Sequence, residues 1–150
     1  MLKGIDPLLN PDILHALCSM GHGDDLVIAD ANFPAASLSR ATVLGRPLRI
    51  DCDTARALKA VLSVMPLDTF VPDAAARMEV VGAPEQIPKV QAEVIPLLRA
   101  QGAAVVGVER FAFYERARRA FAIVQTRERR FYGCLALRKG VIAPDTPRDA

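Results

Sequence analysis

The chain has 150 residues, 51% of them hydrophobic, with 19 Lys and Arg against 17 Asp and Glu and a formal charge of +2. That length suits one domain that buries roughly two-thirds of its unfolded surface, and so even a charge gives no ground for a polyanion partner. No apolar run reaches the ~18 residues that a membrane span needs, so the apolar surplus is expected in subunit contacts.

Three cysteines, Cys18, Cys52 and Cys134, are odd in number and lack C-x-x-C spacing. This argues against a disulfide framework or a zinc site and suits a reducing cytosol. The opening Met-Leu-Lys-Gly-Ile-Asp lacks the basic and apolar regions of a signal peptide. The expected location is the cytoplasm.

Asn10, Pro11 and Asp12 open a first helix as N-cap, first helical residue and dipole-complementing anion. Ile13, Leu14, Leu17 and Met20 form its apolar face, and Gly21 is expected to end it as a left-handed cap. Residues 26–29 are a short apolar run that reads as a buried strand. Residues 31–40 read as a loop, with a second short strand expected at 42–44 or at 47–50. Asp53 or Thr54 caps a second helix through Ala57, Leu58, Val61, Leu62 and Met65, closed by Pro66. Further strands are expected at 78–81 and 103–108, flanking a helix at 87–100 that Pro96 should kink or shorten and Gly102 ends. A helix at 111–119 carries Arg116, Arg118 and Arg119 on its more exposed side. A central strand at 121–126, a charged turn at 127–130 and a last strand at 132–138 follow. Alternating strands and helices predict an α/β fold, a mixed sheet flanked by helices on both faces. The domain is expected at residues 1–142, with a polar tail at 143–150.

Several residues bear on chemistry. Asp30 follows the strand at 26–29, and open α/β sheets bind ligands beyond the carboxyl ends of their strands. Arg110 follows another strand in the same way. His22 stands between Gly21 and Gly23, which would let the chain turn and bring the imidazole over that crevice as an acid/base group. Two readings of His22 stand at this level, because a histidine past a helix end also serves simply to bond the last carbonyls. Asp30 likewise is either a ligand acceptor or an Asx-turn residue. Tyr132 precedes Gly133, whose missing side chain would let backbone approach a ligand. His15 reads as a partly buried helical side chain, Asp24 and Asp25 as solvated turn residues, and Arg127 to Arg130 as a solvated turn. No set of residues has metal-ligand spacing.

Two long blocks, MLKGIDPLLNPDILHALCSMGHGDDLVIADANFPAAS and RFAFYERARRAFAIVQTRERRFYGCLALRKG, resemble the fucose mutarotase branch of the D-ribose pyranase/fucose mutarotase family. The resemblance runs to about Val141. The GHGD segment is common to both branches, whereas RFAFYERA is similar to the fucose branch, ribose pyranases having histidine where Arg110 stands. The resemblance implies that His22 is the catalytic acid/base group, with Tyr132 as a second proton-handling or orienting group. It further implies that Asp30, Arg110, Tyr132, Gly133 and Cys134 bind the sugar, without metal or cofactor. Asparagine stands at position 134 and histidine at position 32 in the family pattern, so Cys134 and Asn32 are departures that bear on sugar specificity. The implied activity is interconversion of L-fucose anomers in a homo-oligomer, a decamer of two stacked pentamers. Neighbouring subunits are expected to complete the sites. D-ribose pyranase activity and a non-catalytic sugar-binding oligomer are the alternatives. A basic RNA-binding module built on residues 116–130 would require strongly salt-dependent binding. Neither nucleic acid nor membrane is expected as a partner.

Overall fold

In the computed structural model, which describes residues 1–147, Asn10 accepts the Ile13 amide at 3.0 Å and starts helix α1, Pro11–Ser19. Ile13, Ala16 and Leu17 are its buried face, while His15 is exposed rather than partly buried. The helix does not end on a left-handed Gly21. Its cap is Met20 in extended conformation, and the positive φ falls on Gly23, at 88°. The Gly21 amide instead donates to Asp24 Oδ2 at 2.8 Å, which closes the turn into strand β1, Asp25–Ala29.

The expected loop at 31–40 contains a short helix, α2 (Ala35–Leu38), followed by a 3₁₀ turn. Strand β2 is Leu48–Arg49, the second of the two expected places. Residues 42–44 stay irregular, with Thr42 turned back on Ser39 and Gly45 at positive φ. Asp53 caps α3, Thr54–Leu62, by accepting the Arg56 amide at 2.8 Å. Strand β3 is Ala75–Met78, earlier than expected, because residues 80–83 close a tight turn through the Ala83 amide and Val80 carbonyl. Helix α4, Lys89–Ala100, keeps Pro96 in its interior without being shortened. Strand β4 is Val105–Val108, and Glu109 caps α5, Arg110–Arg118, through the Phe111 and Ala112 amides. Strands β5 (Ala122–Gln125) and β6 (Leu135–Arg138) finish the sheet.

The six strands are ordered β2-β5-β1-β6-β3-β4. β1 is parallel to β5, β5 to β2 and β3 to β4, while β6 is antiparallel to both β1 and β3. Five strands therefore point one way and β6 alone runs back. Alternation along β1 divides the core. Leu26 and Ile28 pack with α1, α3 and α4, whereas Val27 and Ala29 pack with α2 and α5. The structure is thus the expected mixed sheet with helices on both faces. Of the tail at 143–150, residues 148–150 lie outside the described residues. Among those described, no helix is long and apolar enough to cross a membrane.

Asp25 is not a solvated turn residue. It lies in β1, its side chain 11% exposed, and receives Arg116 Nε at 2.8 Å and Arg138 Nε at 3.3 Å. Arg116 is correspondingly as buried as its partner and not on the exposed side of α5. The pair fastens α5 to the sheet, a connection that helical periodicity does not reveal.

Candidate active site

The single reversal of β6 brings its amino end to the edge where the other five strands finish. Asp30 after β1, Val81 beyond β3, Arg110 after β4 and Tyr132–Cys134 before β6 meet there around a cleft of about 360 Å³. That size is near the low end of the ~300–1,000 Å³ typical of small-molecule sites. Asp30, Asn32, Arg110, Tyr114, Tyr132 and Cys134 provide its polar lining; Phe33, Met78, Val81 and Phe131 provide the apolar part. A larger depression of about 790 Å³ lies over Arg49, Gln125 and Arg127, but it holds none of the expected site residues.

Asp30 is 6% exposed, and its Oδ1 accepts the Asn32 amide at 3.0 Å. The Asx-turn reading of Asp30 holds, and the residue so turned lines the cleft. Burial pushes its pKa up, against hydrogen bonds from the Cys134 thiol and neighbouring amides that favour the anion. Cys134 is itself buried. Burial and the adjacent Asp30 charge push its pKa well up, so it stays a thiol and donates to Asp30 Oδ2 at 3.3 Å.

Tyr132 has φ 64°, the one non-glycine in the left-handed region among the described residues. This conformation is unusual for a bulky side chain and is held only where the surroundings impose it. Here the Val81 amide donates to the Tyr132 hydroxyl at 3.2 Å. The hydroxyl oxygen is therefore an acceptor within the fold, and the phenol keeps its own proton as a donor at the cleft.

The space beside Gly133 is taken by protein. A Cβ there would lie 2.7 Å from Glu128 Cγ and 3.1 Å from Thr54 Oγ1, so the glycine makes room for protein. The Gly133 carbonyl accepts the Thr54 hydroxyl at 2.8 Å. Glu128, expected in a solvated turn, has a side chain only 4% exposed and pairs with Arg130, which also binds Glu93. The Arg130 guanidinium holds the Glu128 carboxyl down at about 2. This anchored turn braces the Tyr132 segment from below.

Arg110 is the first residue of α5, and its Nε donates to the Tyr114 hydroxyl at 3.1 Å. Its guanidinium also stands 5.4 Å from the Tyr114 ring centre and 5.5 Å from that of Phe111. The spacing i, i+4 places Arg110 and Tyr114 on one helix face. Tyr114 is a cleft residue that sequence reasoning passed over, although this spacing from Arg110 was a signal that could have found it.

His22 is not brought over this cleft. It precedes β1 and so belongs to the opposite edge, where the Gly23 amide binds the Lys139 carbonyl at the far end of β6. There His22 Nε2 lies 2.9 Å from Asp68 Oδ2. Asp68 is 3% exposed and is fixed by the Phe70 amide, while the His22 side chain is 48% exposed. Phe70 stands edge-on to the imidazole and is 76% exposed. The glycines do turn the chain, but toward the other end of the strand. Asp68 is the second residue that sequence reasoning passed over; no spacing links it to His22.

The chain matches the RbsD / FucU transport protein family over residues 3–142. It belongs to this family. A fucose mutarotase of Homo sapiens is 46% identical over 151 residues, covering 95% of each chain. The structure is similar to that of FucU from Bifidobacterium longum, with TM-score 0.85 and 38% identity over 94% of this chain and 100% of that one. It is also similar to a fucose mutarotase of Streptococcus pneumoniae in complex with L-fucose, with TM-score 0.80 and 36% identity over 95% and 100% of the two chains. A Bacillus subtilis RbsD structure, complexed with D-ribose, shares the fold at 20% identity and TM-score 0.68, over 95% and 100%.

Proposed function

We propose that this chain is an L-fucose mutarotase, interconverting the α and β anomers by acid/base ring opening and closure. The observation that carries this reading is the cleft that joins Asp30, Arg110, Tyr114 and Tyr132 at one sheet edge. A carboxylate, a guanidinium and two phenols beside an apolar wall match a sugar, with hydroxyls around its ring and a methyl group at one carbon. The fucose mutarotases similar to this chain support the choice of sugar.

In the reaction the anomeric hydroxyl loses its proton and the ring oxygen gains one as the C1–O5 bond breaks. The carbonyl formed at C1 rotates, and O5 attacks its other face while the two protons move back. Such groups commonly contribute ~10²–10⁴-fold each. Tyr132, whose phenol keeps its own proton as a donor at the cleft, is one of them and His22 the other. Asp30 and Arg110 hold the sugar hydroxyls, and the Gly133–Cys134 backbone completes the wall. Because Nε2 of His22 faces Asp68, Nδ1 is the nitrogen that meets the sugar.

His22 then acts on the cleft of a neighbouring subunit. The exposed Phe70 beside His22 and the exposed Val81, Phe111 and Phe131 around the cleft supply the apolar faces of such a contact. Joining unlike faces head to tail generates a ring when the rotation closes, in keeping with the proposed decamer of stacked pentamers. The proposed location is the cytoplasm.

Saturation-transfer NMR on L-fucose and D-ribose tests the function. The expected result is catalysed anomer exchange of L-fucose that His22→Ala abolishes within an intact oligomer. Exchange of ribose alone would favour a pyranase, and binding without exchange a sugar-binding oligomer; either would overturn the proposal.

A further inference from the structure

We infer that Gln91 is a positioning residue for this reaction, its buried carboxamide holding Tyr132 in the conformation that presents the phenol to the cleft. The inference rests on the mutarotase reading of that cleft.

Gln91 sits on the buried stripe of α4 with Val90, Val94 and Leu98, and is 0% exposed. An amide on an apolar stripe is costly unless its hydrogen bonds are made inside the protein. They are. Nε2 has two protons, and they go to the Met78 carbonyl at 2.7 Å and the Tyr132 carbonyl at 3.0 Å. Oε1 accepts Arg77 Nη1 at 3.4 Å.

Both carbonyls belong to residues that line the cleft. Met78 ends β3, and three residues later the Val81 amide reaches the Tyr132 hydroxyl. Tyr132 is thus held at two points: its carbonyl by Gln91 and its hydroxyl by Val81. The sheet does not supply the first hold, since β6 begins only at Leu135. A tyrosine at φ 64° persists only because its surroundings over-determine it. Gln91 provides that constraint where the ladder cannot. Packing alone would be met as well by an apolar side chain of the same length, so the amide is the informative feature.

The test replaces the amide while keeping the bulk, with Gln91→Met and Gln91→Leu in the full-length oligomer. The chain contains just two tyrosines, so fluorotyrosine labelling gives two ¹⁹F resonances, assigned through Tyr132→Phe. The expected result is a shifted or broadened Tyr132 resonance beside an unmoved Tyr114 resonance. L-fucose exchange should show kcat lowered roughly 10- to 100-fold, as for a misplaced reacting group, with KM changed less. The losses from Gln91→Met and Tyr132→Phe should be non-additive, because both act through one hydroxyl. An unmoved Tyr132 resonance with wild-type kcat in a folded oligomer would overturn the inference. Failure of both variants to assemble would overturn it too, by making Gln91 a residue of the fold alone. Wild-type protein without fucose exchange would instead overturn the mutarotase reading, while the fluorine shift still reports whether Gln91 holds Tyr132.

Discussion

If sites form between subunits, two inactive variants should restore each other. Strand β1 has five residues, which at ~3.3 Å per residue separates the His22 edge from the Asp30 edge by roughly 17 Å. One subunit cannot bring both to the same sugar. His22→Ala and Tyr132→Phe should each lower exchange by about 10² or more. In oligomers assembled from equal amounts of the two, each site takes His22 from one chain and its cleft from the next. Half of the histidines and half of the clefts are intact, so random head-to-tail assembly restores about one quarter of wild-type activity. Co-expression with different affinity tags, purification over both, and saturation-transfer NMR on L-fucose would measure it. A mixed oligomer no more active than its parents would refute the shared site, since a site built within one chain leaves no subunit intact.

Three further outcomes follow from the packing and charges around the cleft. Gly133→Ala should lower stability by about 1–3 kcal/mol in denaturant melts, because its Cβ would meet Glu128 Cγ at 2.7 Å; unchanged stability would show that the Glu128 turn yields freely. Glu128 is held at about 2 by Arg130, below the ordinary 4.5, so its contribution is full above pH 4.5 and is lost as pH falls toward 2. That contribution is about 2–3 kcal/mol after allowing for the partly exposed Arg130, and Glu128→Gln should remove this pH dependence from acid melts. Asp30 has the opposite sign. Burial raises its pKa above the ordinary 3.8, so its contribution to stability is greatest below that value and falls as pH rises through the folded one. Asp30→Asn should therefore melt no lower than wild type at pH 7 while losing fucose turnover, and a lower melting temperature would contradict this sign.

The fold class was legible because strand and helix periodicities differ and their stop signals are local. Asn10 and Asp53 cap helices through side-chain bonds that reach only three residues ahead. The same locality explains the misplacements. Gly21 looked like a cap because it follows a helix, yet Asp24 took its amide and moved the positive φ to Gly23. Residues 80 and 81 look like strand by composition, but the ladder makes its last bond from the Glu79 amide to the Val108 carbonyl, and the turn closed by Val80 and Ala83 then takes the chain away. Gln91 lies on one helix stripe with Val94 and Leu98, but only the fold brings it to the Met78 and Tyr132 carbonyls.

The sequence by itself determined the four longer helices, most strands and the family, and it singled out Asp30, Arg110 and Tyr132 as candidates. Only the tertiary structure decided which of them meet. The reversal of β6 between β1 and β3 brings Tyr132–Cys134 to the carboxyl edge beside Asp30, and the length of β1 leaves His22 with Asp68 at the other. Sequence neighbours on a strand are held apart by its stiffness, whereas strand order joins residues a hundred positions distant. Proximity along the chain therefore suggested one His22–Asp30 site, and the sheet sets the two residues at opposite edges.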